Sequence, residues 1–311
     1  AVVNAERYDP ATNRLVQFGP LVPRAGGAQA LIGNSKIVLV GGQAVPTLEV
    51  TDGQTVDQLA FPGTPREGLT ATSLTDGQVL VAGGASAGIA SGELDLIDSS
   101  DASVIIRRLD AQLLRARQLH TATRLGDDLG APVLIAGGIG TDSVPIADAE
   151  LFQPLESGFP VLFNQHMLTP RYRHIAARLP DGSVLFVGGL DRVGQPVFAL
   201  EQFSREAGFI AVLNSLPMDA GVVDAAAVTL PDGRILLTGG RTAVGGSPVN
   251  TAYILRLDPV DGMIDVIATD HMTAARAGHQ MAVLCDGSVW ISGGSTSVTV
   301  ERYNPPPAGR R

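Results

Sequence analysis

Five arginines recur at one place in a repeated pattern. Counting ten residues back from a turn-forming Asp or Asn gives Arg24, Arg66, Arg117, Arg171 and Arg276, with Val222 in the fifth copy. Three residues further on stand His120, His174 and His279, where the other copies hold Gly27, Leu69 and Ala225. Downstream come Glu49, Glu93, Glu150, Glu201 and Glu301, and the offset from Pro259 assigns Leu255 to this place in the fifth copy. Two chemistries fit. A guanidinium and a carboxylate of one repeat form an internal ion pair. The joint loss of Arg and Glu in the fifth copy is what such a pair predicts, because a buried charge without its partner is costly. On this reading Arg171 and Glu150 should be energetically coupled. Alternatively, the arginines ring the mouth of a channel and take carboxylates or acidic peptides. Histidine is a common transition-metal ligand. With no HExxH or close His pair, however, inward-facing histidines read as hydrogen-bonded packing. No metal, cofactor or catalytic residue is expected.

The elements that position these residues repeat with them. An apolar run closed by Gly-Gly occurs six times, its first glycine at Gly41, Gly83, Gly137, Gly188, Gly239 and Gly293. Each run is Val/Ile/Leu-rich and too short for a helix, which predicts a buried strand. Asp76-Gly77, Asp181-Gly182, Asp232-Gly233 and Asp286-Gly287 stand seven residues ahead of the glycine pair, and Asn34 holds the same place in the first copy. Asp-Gly tolerates positive φ, so a type I′ antiparallel hairpin is expected at each. The strand before it is rich in small residues, as at Thr70-Ala71-Thr72 and Ala225-Ala226-Ala227, which suits strands converging on a crowded axis. A third strand carries the acidic residue, as in Glu6 to Pro10, Glu150 to Pro154 and Glu301 to Pro305. A weaker fourth strand follows, for example Phe209 to Leu213. Four strands in about 50 residues is the period of kelch repeats.

On these residues the chain resembles the kelch family. The hydrophobic-Gly-Gly strand, the Glu-x-Tyr-Asp-Pro type element and the Pro-Arg at Pro23-Arg24, Pro65-Arg66 and Pro170-Arg171 carry the resemblance, which runs from Glu6 to Pro305. It departs in lacking the usual fourth-strand tryptophan; Trp290 sits in a second strand. The resemblance implies an all-β, six-bladed propeller of four-stranded antiparallel blades, closed by strands from both termini. The N-terminal segment is expected to complete the sixth blade. One domain over residues 1–304 and a Pro-rich tail over 305–311 follow.

Composition narrows the function. Net charge is −9 and Lys36 is the only lysine, which argues against general nucleic-acid binding. No apolar run reaches membrane-helix length; the longest, Gly221 to Leu230, is broken by Asp224. One cysteine, Cys285, excludes a disulfide framework. No nucleophile elbow, P-loop or dinucleotide fingerprint occurs. The expectation is a non-catalytic binding or scaffold module, a monomer on its own or within a larger assembly. It engages a protein or glycan, anionic in character, through the loop face bearing the arginines. Candidate contacts are the five arginines and three histidines with Tyr172, Arg173, Arg192 and Arg241. His166, Asp142 and Asp191 stand on neighbouring loops. The resemblance also implies an alternative, a sugar-acid mutarotase or epimerase using Arg and Glu in acid–base work. A copper oxidase of galactose-oxidase type would need a Cys–Tyr link, and Cys285 and Tyr172 lie on different blades. The arginine bias and the absence of an initiator Met point to a high-GC bacterium and an exported protein.

Overall fold

The computed structural model describes residues 3–9, 11–12, 14–33, 35–42, 45, 47–74, 77–99, 103–154, 161–258, 260–296 and 300–307. The expected turn residues Asn34 and Asp76 and the tail arginines Arg310 and Arg311 lie outside them. Every regular element among the described residues is a strand, and no helix is long and apolar enough to cross a membrane. The chain clusters into two compact units, residues 1–164 and 165–311.

In the first unit, sheet one runs Gly27–Ile32, Lys36–Gly41, Thr47–Thr51 and Val56–Ala60, each strand antiparallel to the next. Sheet two repeats this with Thr70–Ser73, Gln78–Ala82, Glu93–Asp98 and Ile105–Gln112. Sheet three has Thr121–Arg124, Val133–Ala136, Asp148–Phe152 and Val161–His166. In the second unit, sheet four is Ile175–Arg178, Val184–Val187, Ala199–Ser204 and Gly208–Ser215. Sheet five is Ala226–Thr229, Ile235–Thr238, Ala252–Leu257 and Ile264–Ala268. Sheet six has three strands among the described residues, Gln280–Val283, Val289–Ser292 and Glu301–Tyr303. Its third strand is therefore the one carrying Glu301. Val3–Asp9 and Arg14–Leu21 pair with each other as a separate hairpin.

The second strands read as uninterrupted apolar runs because both faces are covered. Val184–Val187 and Ile235–Thr238 are buried at every position. Leu185 and Val187 of sheet four pack with Leu237 and Leu255 of sheet five, while Leu236 and Ile254 turn to Val289 and Ile291 of sheet six. Sheets one and two join in the same way through Val38, Val40, Val79 and Val81. Within each unit the core thus lies between successive sheets.

The Gly-Gly motif makes the contact from one sheet to the next. The second glycine donates its amide to the carbonyl of the ladder residue of the following sheet: Gly42 to Arg66 at 2.8 Å, Gly84 to Arg117 at 2.9 Å, Gly189 to Val222 at 2.8 Å and Gly240 to Arg276 at 2.7 Å. The first glycine lies against that carbonyl. A Cβ at Gly83 would stand 2.5 Å from the Arg117 oxygen, and one at Gly188 would stand 2.6 Å from that of Val222.

The Asp-Gly turns differ from the expected type I′. In sheet four Gly182 N–H bonds to Leu179 O at 3.0 Å, and Leu179 N–H bonds to Ser183 O at 2.8 Å. Positive φ falls on Gly182 and not on Asp181. This is a three-residue loop with a left-handed glycine, and the turns at Gly233 and Gly287 repeat it. Asp181 Oδ1 accepts the Ser183 amide at 3.0 Å, so the aspartate closes the turn with its side chain and keeps negative φ.

Replacing Gly188 by Ala adds a methyl group against the Val222 carbonyl, whereas Gly194, also at positive φ, has open space around it. Urea unfolding should show Gly194→Ala losing about 1 kcal/mol. Gly188→Ala should lose roughly 1–3 kcal/mol more. Equal losses would deny the sheet-to-sheet role of the motif.

Candidate functional site

Each ladder arginine points into its own sheet and is buried. Arg24 Nε lies 3.1 Å from Glu49 Oε2, Arg117 Nη2 lies 2.7 Å from Glu150 Oε1, Arg171 Nη2 bonds to Glu201, and Arg276 Nε lies 3.1 Å from Glu301 Oε1. A second donor reaches the carbonyl of the first glycine: Arg24 to Gly41 O, Arg66 to Gly83 O, Arg117 to Gly137 O, Arg171 to Gly188 O and Arg276 to Gly293 O. The carboxylate in turn accepts backbone amides from the segment entering the sheet. Glu150 takes Leu114 and Arg115 at 2.8 and 3.1 Å, and Glu201 takes Leu168 and Thr169 at 2.7 and 3.0 Å. Burial pulls the Arg117 and Arg171 guanidiniums below their ordinary value, and the charges of Glu150 and Glu201 pull the other way. Burial works against an ionised Glu301, but the amides of Thr273 and Ala274 with Arg276 outweigh it and lower its pKa. The donors of Arg24, Arg66, Arg117, Arg171 and Arg276 are turned inward and engaged, the arrangement that the internal ion-pair reading expects.

Strand register corrects three assignments. Glu150 stands opposite Ile135 and Glu201 opposite Phe186, each two residues before the first glycine. By that rule the second sheet supplies Asp95, opposite Val81, and not Glu93. Arg66 bonds directly to Asp95, while Glu93 lies 3.4 Å from Arg66 and also pairs with Arg108. In the fifth sheet the residue opposite Leu237 is Tyr253, and Leu255 belongs to the apolar core. The lock there is Val222, buried, with Tyr253 donating its hydroxyl to Asp219 Oδ1 at 2.7 Å. Burial first and Asp219 second push that phenol up to about 12. Finally, Glu150 belongs to Arg117, so the partner of Arg171 is Glu201.

The histidines pack in the interior, His120 and His279 against the preceding sheet and His174 against Phe186 of its own sheet. His120 Nε2 meets Thr70 Oγ1 at 3.1 Å, and His279 Nε2 meets Thr238 Oγ1 at 2.8 Å, each Thr belonging to the preceding sheet. His174 lies 5.7 Å from the Phe186 ring centroid. Burial, then the charge of Arg171, pushes His174 down to about 3. Burial, then Arg276, pushes His279 down to about 4. Both are neutral at pH 7.

The accessible charges collect at the loop end of sheets four and five. Two residues past the ladder position every repeat has positive φ: Gly26, Gly68, Leu119, Arg173, Asp224 and Gly278. The site is fixed by backbone bonds such as Gly68 N–H to Gly26 O at 2.8 Å and Gly278 N–H to Asp224 O at 2.7 Å. Glycine suits it; Leu119, Arg173 and Asp224 hold φ of 55°, 54° and 56° there, a strained geometry, and only the last two carry charge. Arg173 Nη2 lies 2.9 Å from Asp224 Oδ1, and Arg241 Nη1 lies 3.6 Å from Asp224 Oδ2. Their side chains are 44%, 25% and 28% exposed for Arg173, Asp224 and Arg241. Two partly exposed guanidiniums share one carboxylate, leaving an excess positive charge.

Tyr172 bridges to Leu190 beside this cluster, and Arg192 is exposed on the loop that follows Leu190. Asp142 and Asp191 instead shape their loops, accepting the amides of Val144 at 3.1 Å and of Val193 and Gln195 at 2.9 and 2.8 Å. Cys285 is exposed at the turn end of sheet six, while Tyr172 is at the loop end of sheet four. Asp224 was missed in the sequence, although a charge breaking the apolar run from Gly221 to Leu230, at a position where three other repeats use glycine, was its signal.

No protein-family model matches the chain, and no curated protein matches it. Solved structures do match. One of them, described as the structure of YjhT, aligns over 91% of this chain and 94% of its own with a TM-score of 0.68 at 15% identity. The fold is a β-propeller of six blades. At that identity the likeness speaks for the fold alone, and the blades are the six sheets described above.

Two outcomes test the lock. Arg171→Met should lose about 3–5 kcal/mol. A double-mutant cycle should show coupling of Arg171 with Glu201 and near-additivity of Arg171 with Glu150. The histidine packing is tested separately by pH. His174 has its folded pKa below the unfolded value of about 6.5, so its neutral packing stabilises fully above that pH. The contribution is lost as pH falls toward 4. Unfolding free energy measured from pH 6.5 to 5 should fall less steeply in His174→Gln, by about one proton, or 1.4 kcal/mol per pH unit.

Proposed function

We propose that the chain is a kelch-type propeller, one domain over residues 1–304, acting as a non-catalytic binding module. It takes a carboxylate-bearing group of a protein or glycan at the loop end of sheets four and five. The observation that carries this reading is the Arg173–Asp224–Arg241 cluster, with its surplus of positive charge and its two strained residues. Arg192, exposed on the loop after Leu190, adds a further cation at this end, while Tyr172 packs against the core beneath. A planar guanidinium binds a carboxylate through paired donors, so an incoming carboxylate competes with Asp224 for Arg173 and Arg241.

Strain separates function from stability here. Asp224→Gly should raise the melting temperature by relieving positive φ, a gain of roughly 1 kcal/mol. It should at the same time alter ligand affinity. Calorimetric titration with sialic acid, glucuronate and an acidic peptide should give measurable binding of at least one of them. Arg173→Ala with Arg241→Ala should weaken that binding by tenfold or more while leaving the fold intact. Absence of binding by all three, or indifference to the double substitution, would remove the assignment.

One observation favours the mutarotase alternative as a second reading. Asp224 is a partly exposed carboxylate between two guanidiniums, an arrangement able to hold an anionic sugar and exchange a proton with it. Magnetisation exchange between the anomers of a sialic or uronic acid, accelerated by the protein and abolished in Asp224→Asn, would support it.

A further inference from the structure

The opposite end of the second unit carries a different surface. There the Asp-Gly turns of neighbouring sheets stack so that a turn proline meets the next turn glycine. A Cβ at Gly233 would stand 2.2 Å from Pro180 Cγ, and one at Gly287 would stand 3.8 Å from Pro231 Cγ. The valleys flanking these turns repeat with them. The valley between sheets five and six is lined partly by the chain itself: Asn304, Pro305, Pro306 and Pro307 run along a cavity of about 330 Å³ beside Pro231, Asp286 and Gly287. One guanidinium holds that extended segment, Arg234 Nη2 donating to Pro306 O at 2.7 Å. The valley between sheets four and five is a cavity of about 870 Å³, within the size range of ligand sites. Arg234 and Asp232 line both valleys.

We propose that the valley between sheets four and five is a docking site for an extended, proline-containing, basic peptide segment of a partner protein. The tail lying in the neighbouring valley shows the shape that such a surface accepts: an extended proline run, pre-ordered and offering backbone carbonyls without competing amides. Pro180, Ile210 and Leu257 give the larger valley an apolar floor. Its charge selects a basic sequence. Asp181, Asp232, Asp258 and Asp261 line it with two arginines, and pairing of Arg234 with Asp232 and of Arg256 with Asp265 leaves Asp181, Asp258 and Asp261 in excess. Asp181 and Asp261 each use Oδ1 to accept a backbone amide, from Ser183 and Met263, which fixes the carboxylates at the rim.

The test uses the intact chain and a fluorescent synthetic peptide, Pro-Pro-Pro-Ala-Gly-Arg-Arg, titrated by anisotropy at low salt, with Pro-Pro-Pro-Ala-Gly-Glu-Glu as its counterpart. The basic peptide should bind, and the acidic one at least tenfold more weakly. Asp181→Asn with Asp261→Asn keeps the Oδ1 acceptors and hence the turns, and should weaken binding at least fivefold with the melting temperature unchanged. Ile210→Ala, a partly exposed position, should weaken it independently of salt. Failure of the basic peptide to bind, equal binding of the two peptides, or binding unaffected by both sets of substitutions would overturn the proposal.

Discussion

The structure depends on a cation buried beside an anion in five of its six sheets. A guanidinium removed from water needs a partner of opposite charge and acceptors for its remaining donors. Here the carboxylate and the carbonyl of the first glycine provide both. Because the same carboxylate also accepts amides of the incoming segment, the lock joins the third strand, the glycine corner and the connection from the previous sheet. The Gly-Gly corner can then press against the following sheet, since its position is fixed from inside. Sheet five shows that the constraint is geometric more than electrostatic. Val222, Tyr253 and Asp219 fill the same place, with a hydroxyl-to-carboxylate bond in place of the ion pair.

This arrangement determines where chemistry can occur. Arginines held inside the sheets are not presented to a ligand, so the proposed recognition rests on charges outside the lock. The left-handed position two residues past each ladder residue is a natural place for them, because the backbone there is held by bonds to its neighbour whatever the side chain. Three repeats use glycine and one uses Leu119; Arg173 and Asp224 place charges there and meet each other, with Arg241 completing the group. Scaffold and site are thus separable, as expected where rigid strands carry variable loops.

Much of this was legible in the sequence, for identifiable reasons. The glycine pairs were visible because a close backbone approach admits no other residue, and the arginines because a fixed turn length counts back to them. Asp95 and Tyr253 were misassigned for the opposite reason. They were sought through loops of variable length, or from Pro259, whereas strand pairing opposite Val81 and Leu237 decides their place. The type I′ expectation failed because the Asp side chain closes the turn on its own backbone and leaves positive φ to the glycine alone. The Arg173–Asp224–Arg241 cluster assembles residues from two repeats, which no local pattern encodes.

The most direct test transplants the neutral solution of sheet five into sheet four. Arg171→Val alone strands the Glu201 carboxylate and should be strongly destabilising in urea unfolding. Adding Glu201→Tyr and Leu168→Asp, which rebuilds the Val222–Tyr253–Asp219 arrangement, should recover most of the loss. A triple variant no more stable than the single one would contradict the view that a satisfied internal lock, in either chemistry, is what holds each sheet.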